Sequence, residues 1–143
     1  MLIETILKDK GGKVTTIPAT ATLSEAAQLL DTHRIGAVVA VEADGSLCGV
    51  LSERDIVRQM ARKGESALAL EVSAAMTRGV ITANSSEDLD RCLGRMTDRR
   101  IRHLPVVDNG KLTGIVSIGD LVKHKIDAVT AEAEAMTAYI KGG

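Results

Sequence analysis

Two stretches carry residue types at a spacing suited to binding chemistry. Gly49-Val50-Leu51-Ser52-Glu53-Arg54-Asp55 and Gly114-Ile115-Val116-Ser117-Ile118-Gly119-Asp120 share one pattern: glycine, two apolar residues, serine, two variable residues, aspartate. Ser-x-x-Asp ahead of an apolar-periodic segment is a capping pattern. The hydroxyl accepts from a free N–H of the first helical turn, and the acid lies at the positive helix end. The same arrangement suits a ligand. A helix N-terminus directly after a strand offers N–H groups to an anion, and a carboxylate there can hold paired ribose hydroxyls, as in dinucleotide folds. The GxGxxG of those folds is absent, as are HExxH, GxSxG and Walker A sequences. No nucleophile–base pair stands out, so the pattern points to binding and not to catalysis.

The elements that must position these residues come from an internal duplication. Leu47 to Val57 matches Leu112 to Val122 at a constant offset, and Val14 to Leu23 matches Val80 to Leu89 at an offset one residue larger. The change falls at the turns Asp44-Gly45 and Asn109-Gly110, where a length difference is cheapest. Each repeat reads β-α-β-β-α. An extended start precedes an amphipathic helix, Ser24 to His33 or Glu87 to Arg99, with Ser24 and Ser86 as expected N-caps. A hairpin follows, with strands Ala37 to Val41 and Leu47 to Leu51, or Leu104 to Val107 and Leu112 to Val116. Pro105 lacks a donor and marks a strand start or an edge. A second helix starts at Ser52 or Ser117, and the last one runs to about Lys141. Glu71 to Met76 reads as a small linking helix and Lys63 to Ser66 as a helix stop and loop. The expected division is 1–69 for the first repeat and 70–143 for the second. The fold class is α+β, an α/β sandwich-like pair of repeats related by a pseudo-twofold axis.

Composition narrows the function. The chain has 143 residues, with 18 basic and 19 acidic side chains and a net charge of -1. That balance argues against nucleic acid and against an acidic membrane surface as partners. One Tyr with no Phe or Trp leaves no aromatic platform for stacked bases. Cys48 and Cys92 form no CxxC pair and read as small buried hydrophobes in a reducing compartment. No apolar run spans a bilayer and no signal peptide is visible, so the expectation is a cytoplasmic protein without a metal site. His33 and His124 read as surface residues, and Arg99 and Arg100 as a solvated helix end. The second helices are expected to expose Ile56, Val57, Met60, Leu121, Val122, Ile126 and Val129, a stripe that fits a homodimer.

The tandem Gly-x-x-Ser-x-x-Asp, with Arg102-His103-Leu104-Pro105-Val106-Val107 ahead of the second copy, resembles a pair of CBS (cystathionine-β-synthase) domains over about residues 10 to 140. The segment Ser52-Glu53-Arg54-Asp55 and the ending Ala138-Tyr139-Ile140-Lys141 are similar to small stand-alone members of that family. The resemblance implies a Bateman module that binds an adenosine nucleotide, AMP first with ATP or NAD(H) as alternatives, in clefts between repeats. It also implies dimerisation into a disc. Position by position, it implies that Asp55 and Asp120 hold ribose and that Ser52 and Ser117 face phosphate or ribose. Thr16 and Ile17, or Thr82 and Ala83, would contact the base. Ala37 and Val38, or Leu104 and Pro105, would close over it, and Arg54, Arg102 and His103 would meet phosphates.

The repeats are not equal. Gly36-Ala37 stands where the second repeat has Arg102-His103, so the cleft receiving Arg102 and His103 should hold phosphate more strongly. Lys13, beside a Gly-Gly pair, is a further basic candidate. The leading expectation is a sensor acting on a separate, unidentified protein. The alternative is a dimerisation or docking scaffold with empty clefts, and a nucleotide-processing enzyme stands behind both.

Overall fold

The structure is a computed structural model and describes residues 1–11 and 13–142. The chain forms two compact units, Lys13–Ile81 and Met1–Gly12 with Thr82–Gly143.

In the first unit, β1 (Thr16–Pro18) pairs in parallel with β2 (Ala37–Val41), and β2 pairs antiparallel with β3 (Leu47–Ser52). The helices are α2 (Leu23–His33) and α3 (Glu53–Lys63), then a 3-10 segment (Gly64–Ala69) and the single-turn α4 (Val72–Ala75). The 3-10 segment replaces the loop expected at Lys63 to Ser66. Val-rich β2 is buried at Ala37 through Ala40, and Leu23, Ala26, Leu30, Leu51, Ile56 and Val72 pack around it. Aliphatic side chains and Met76 fill this core, without an aromatic ring. Burying each Val, Leu or Ile contributes roughly 1.5–3 kcal/mol against the entropy of ordering the chain.

The second unit repeats the plan with α5 (Leu89–Arg99), β4 (His103–Asp108), β5 (Lys111–Ser117) and α6 (Ile118–Gly142), preceded by α1 (Ile3–Lys10) from the start of the chain. Here the extended start is only a parallel bridge, Ala83 to Val106. Pro105 explains the loss. In the first unit Val39 N–H donates to the Thr15 carbonyl, and the matching residue in the second unit is Pro105, which has no N–H. Its carbonyl still accepts from Ala83 N–H at 2.9 Å. The missing donor therefore lies on the edge of β4 away from β5, as expected for proline in a strand.

The short segment ahead of each repeat bonds to the other repeat's extended start, each within one unit. Val72 and Ser73 donate to the carbonyls of Ala21 and Ala19, while Ile3 and Glu4 donate to Glu87 and Ser85, the matching positions of the second repeat. α1 therefore serves the second repeat as α4 serves the first. Division by sequence repeat at 69/70 and division by packing are thus different partitions.

Several local expectations need correction. Thr22, with extended backbone, caps α2 by accepting from Glu25 N–H, and Ser24 lies inside the helix. Asp88 caps α5, while the Ser86 hydroxyl and N–H both turn back to Asn84 Oδ1. Ile56 and Leu121 are buried in their own units, not exposed. Val57, Met60, Val122, Ile126 and Val129 are exposed, and the apolar exposure of α6 continues through Met136, Tyr139 and Ile140. His124 is half-buried, its Nδ1 3.9 Å from Asp9 Oδ2. Cys92 is fully buried but Cys48 only partly.

Candidate functional site

Both Ser-x-x-Asp motifs form at a strand-to-helix junction. Ser52 ends β3 in extended backbone; its N–H donates to Asp55 Oδ2 at 2.9 Å, and Asp55 N–H donates to Ser52 Oγ at 3.3 Å. Ser117 and Asp120 repeat this at the start of α6, with bonds of 2.9 and 3.0 Å. Reciprocal capping satisfies two free donors with groups three residues apart, so the chain forms each motif locally. The strand register then places Ala37 opposite Ser52 and Val38 opposite Leu51, with Thr16 and Ile17 on the far side of β2. In the second unit His103 lies opposite Ser117 and Leu104 opposite Val116, and Ala83 bonds to Pro105.

Each motif is thus assembled with its expected companions inside one unit. Ile17, Ala37, Val38, Ala83, Leu104 and Pro105 are buried backbone-forming positions. Arg54 and Arg102 are exposed, as are Thr16 and Lys13, while Thr82 and His103 are half-buried. The Arg102 carbonyl accepts from Ile118 N–H at 2.8 Å, and Gly36 does the same for Glu53 at 2.9 Å. These bonds tie the residue before each strand to the helix start, which fixes where the strand opens beside the motif.

The motif glycines answer a close approach. A methyl placed on Gly114 would stand 2.5 Å from Leu7 Cδ2, and one on Gly49 would stand 2.5 Å from Met76 Sδ. Leu7 belongs to α1 and Met76 follows α4, so each glycine admits that segment against its strand.

The carboxylates differ. Asp55 is engaged within its own helix: Oδ2 accepts from the Ser52 N–H and hydroxyl, and Oδ1 from Arg58 at 3.3 Å. Asp120 Oδ2 instead accepts from Lys10 Nζ at 2.8 Å, and Lys10 also donates to the Ile115 carbonyl at 2.9 Å. Partial burial pushes the Asp120 carboxyl up, but Lys10 and the Ser117 N–H outweigh it and hold the group below the usual carboxylate range. The same carbonyl in the first repeat, Val50, accepts from Thr77 N–H. A side chain in one unit does what backbone does in the other.

Sequence reasoning singled out Lys13 and missed Lys10, which lies 110 residues from its partner. It also missed Arg95. The Arg95 guanidinium makes a two-pronged pair with Glu87, at 2.8 and 2.9 Å, and donates to the Thr82 carbonyl at 3.0 Å. Arg95 thereby anchors the segment carrying Thr82 and Ala83. Glu87 and Arg95 both sit within the stretch read as amphipathic helix, and their spacing of eight residues gave no cue to pairing.

Two repeats of β-α-β-β-α type, each closing a serine–aspartate box at its last helix, define a tandem CBS architecture. The CBS domain family model matches residues 9–62 and 71–127, and the chain belongs to this family. It is 34% identical over 126 residues to the mitochondrial CBS domain-containing protein CBSX3 of Arabidopsis thaliana, covering 85% of this chain but only 61% of that one. Among solved structures, a CBS-domain containing protein from Agrobacterium tumefaciens superimposes with a TM-score of 0.84 at 41% identity, over 87% of this chain and 99% of the other. The CBS domain pair of protein MJ0100, in complex with 5′-methylthioadenosine and S-adenosyl-L-methionine, gives 0.80 at 28% identity, over 90% and 98%. Protein PAE2072 of Pyrobaculum aerophilum, complexed with AMP, gives 0.76 at 29% identity, over 84% and 89%. Among the described residues, no helix is long and apolar enough to cross a membrane.

Proposed function

We propose that the chain is an adenosine-ligand-binding regulatory module that passes its state to a separate protein. The observation that carries this reading is the duplicated serine–aspartate box at two strand-to-helix junctions, in a fold whose relatives include AMP and S-adenosyl-L-methionine complexes. In this reading Asp55 and Asp120 hold ribose, and Ser52, Ser117, Arg54, Arg102 and His103 meet phosphate. Thr16, Ile17, Thr82 and Ala83 contact the base, and Ala37, Val38, Leu104 and Pro105 close over it. AMP is the proposed ligand, with ATP and NAD(H) as competitors. Binding of this kind needs no bond breaking, so the role is regulatory and not catalytic. The exposed stripe of α3 and α6 supports a homodimer, and the two unpaired thiols support a reducing compartment such as the cytoplasm. A ligand biases the partner only through its differential affinity for two conformations of the module.

The test is a thermal-shift panel of AMP, ATP, NAD, NADH and S-adenosylmethionine, followed by calorimetry on wild type and on the Asp55→Ala, Asp120→Ala double variant. A ligand at a hundred times its Kd stabilises the native state by ~2.7 kcal/mol. The expected result is a shift with AMP that the double variant loses; affinity undiminished in the double variant overturns the reading. The ion pairs already on both carboxylates favour a second reading, a docking scaffold with closed motifs. A flat panel with ligand-free protein selects it.

A further inference from the structure

We infer that Lys10 sets the ligand specificity of the second motif, favouring nucleosides with an anionic 5′ substituent over those with a cationic one. The inference rests on the reading just given and assigns the two motifs different tastes. Its basis is a difference between two units that share the reciprocal Ser–Asp backbone bonds of the box. Lys10 Nζ bonds Asp120 Oδ2 and the Ile115 carbonyl. Counting from Ile3 and Val72, whose N–H groups make matching bonds, the residue of the first unit that answers Lys10 is Gly79. α4 ends after one turn, whereas α1 runs on to Lys10. Among the described residues no cation reaches Asp55 from that direction; its partner is Arg58, on its own helix and largely exposed.

The chemistry follows from charge. Asp120 Oδ2 carries both the Lys10 and Ser117 bonds, which leaves Oδ1 for a ribose hydroxyl. A hydroxyl is neutral and does not replace the carboxylate as counter-ion, so Lys10 stays beside the ribose when a ligand enters. The 5′ substituent of that ribose lies one sugar ring away, within the ~8 Å Debye length of physiological salt. A phosphate there gives the ammonium a second anion. A sulfonium there places two positive charges together around a partly buried group.

The experiment is calorimetry with AMP and with S-adenosylmethionine on the full chain. It compares wild type, Lys10→Met and Lys10→Arg, each also carrying Asp55→Ala so that the second motif is read alone. Removing one close charge partner predicts about tenfold weaker AMP binding and several-fold tighter S-adenosylmethionine binding in Lys10→Met, with Lys10→Arg near wild type. Because the interaction is one of charge, the difference between Lys10→Met and the Lys10 protein shrinks as salt is raised. Equal changes for the two ligands, or a Lys10 effect that ignores salt, overturn the inference. If the unmutated chain binds neither ligand, the nucleotide reading fails and takes this one with it. If it binds both and the ratio ignores Lys10, only the role of Lys10 falls. Thermal melts of each variant separate a loss of ligand from a loss of fold.

Discussion

The Lys10 ammonium and the Asp120 carboxylate meet at 2.8 Å although 110 residues separate them in the chain. The contact ties the first helix of the protein to the start of its last. It exists because α1 packs on the second repeat while preceding the first, and because two full turns bring its end to the serine–aspartate box.

This pair makes stability pH-dependent in a defined direction. The Asp120 carboxyl is held below its ordinary value in the folded chain, against about 3.9 when unfolded. A depressed folded value means the contribution is present above the unfolded value and is lost as pH falls through the folded one. Denaturant midpoints measured from pH 7 to pH 3 should therefore fall below about pH 4. Lys10→Met should lower the pH 7 midpoint and flatten that fall; an acid limb identical to wild type would show that other carboxylates cause it.

Gly114 should not tolerate a side chain. A Cβ there meets three atoms of Leu7, the nearest at 2.5 Å. Gly114→Val should lower stability by ~1–3 kcal/mol, the usual cost of overpacking. Hydrogen exchange should rise across α1, because the helix must lift to make room. Protection unchanged in α1 would show that Leu7 yields by a rotamer change alone.

The Glu87–Arg95 pair is partly buried and two-pronged, the geometry in which an ion pair contributes most. Arg95→Met removes that pair and also the bond to the Thr82 carbonyl. We expect a loss of ~1–3 kcal/mol in chemical denaturation, much of it from leaving Glu87 unpaired. Hydrogen exchange should report loosening around Ala83, and a Leu at position 95 should not restore it.

Two helices end on arginines with left-handed backbone, Arg34 at φ 52° and Arg100 at φ 54°. Both are exposed and each donates its N–H to close the helix. Glycine adopts this conformation without the Cβ penalty, so Arg34→Gly and Arg100→Gly should each stabilise by ~0.5–1 kcal/mol. A drop in melting temperature instead would mean that the side chains make contacts worth more than the strain.

The exposed face of α6 gives a prediction on assembly. Val122, Ile126, Val129, Met136 and Ile140 alternate three and four residues apart once Ala133 is included, the spacing of a helix–helix seam. Ile126→Ser with Val129→Ser should convert the proposed homodimer to a monomer in sedimentation while leaving the fold of each chain intact, since neither side chain is buried in its own unit; a wild type that sediments as a monomer overturns the assembly.

What could be read in advance follows the range of the forces involved. The serine–aspartate boxes, the hairpin turns and the buried faces of α2 and α5 were legible because each closes within a few residues, where spacing alone decides geometry. The edge position of Pro105 was legible for the same reason: a missing donor is a property of one residue. The caps were partly misread because Thr22 and Asp88 compete with Ser24 and Ser86, and the winner depends on where the backbone turns extended. The α3 and α6 faces were misread at Ile56 and Leu121, which a helical repeat cannot distinguish from their exposed neighbours until the sheet beneath the helix is known.

By itself the sequence determined that the protein is a duplicated β-α-β-β-α chain of aliphatic core, with two matching capped motifs and a CBS-like order of residues. Only the tertiary structure decided that α1 packs on the second repeat and α4 on the first, that Gly49 and Gly114 make room for Met76 and Leu7, and that Lys10 lies on Asp120 while, among the described residues, no counterpart reaches Asp55. The physical reason is that packing free energy depends on which apolar faces meet, and charge pairing depends on distance in space. Neither is set by separation along the chain.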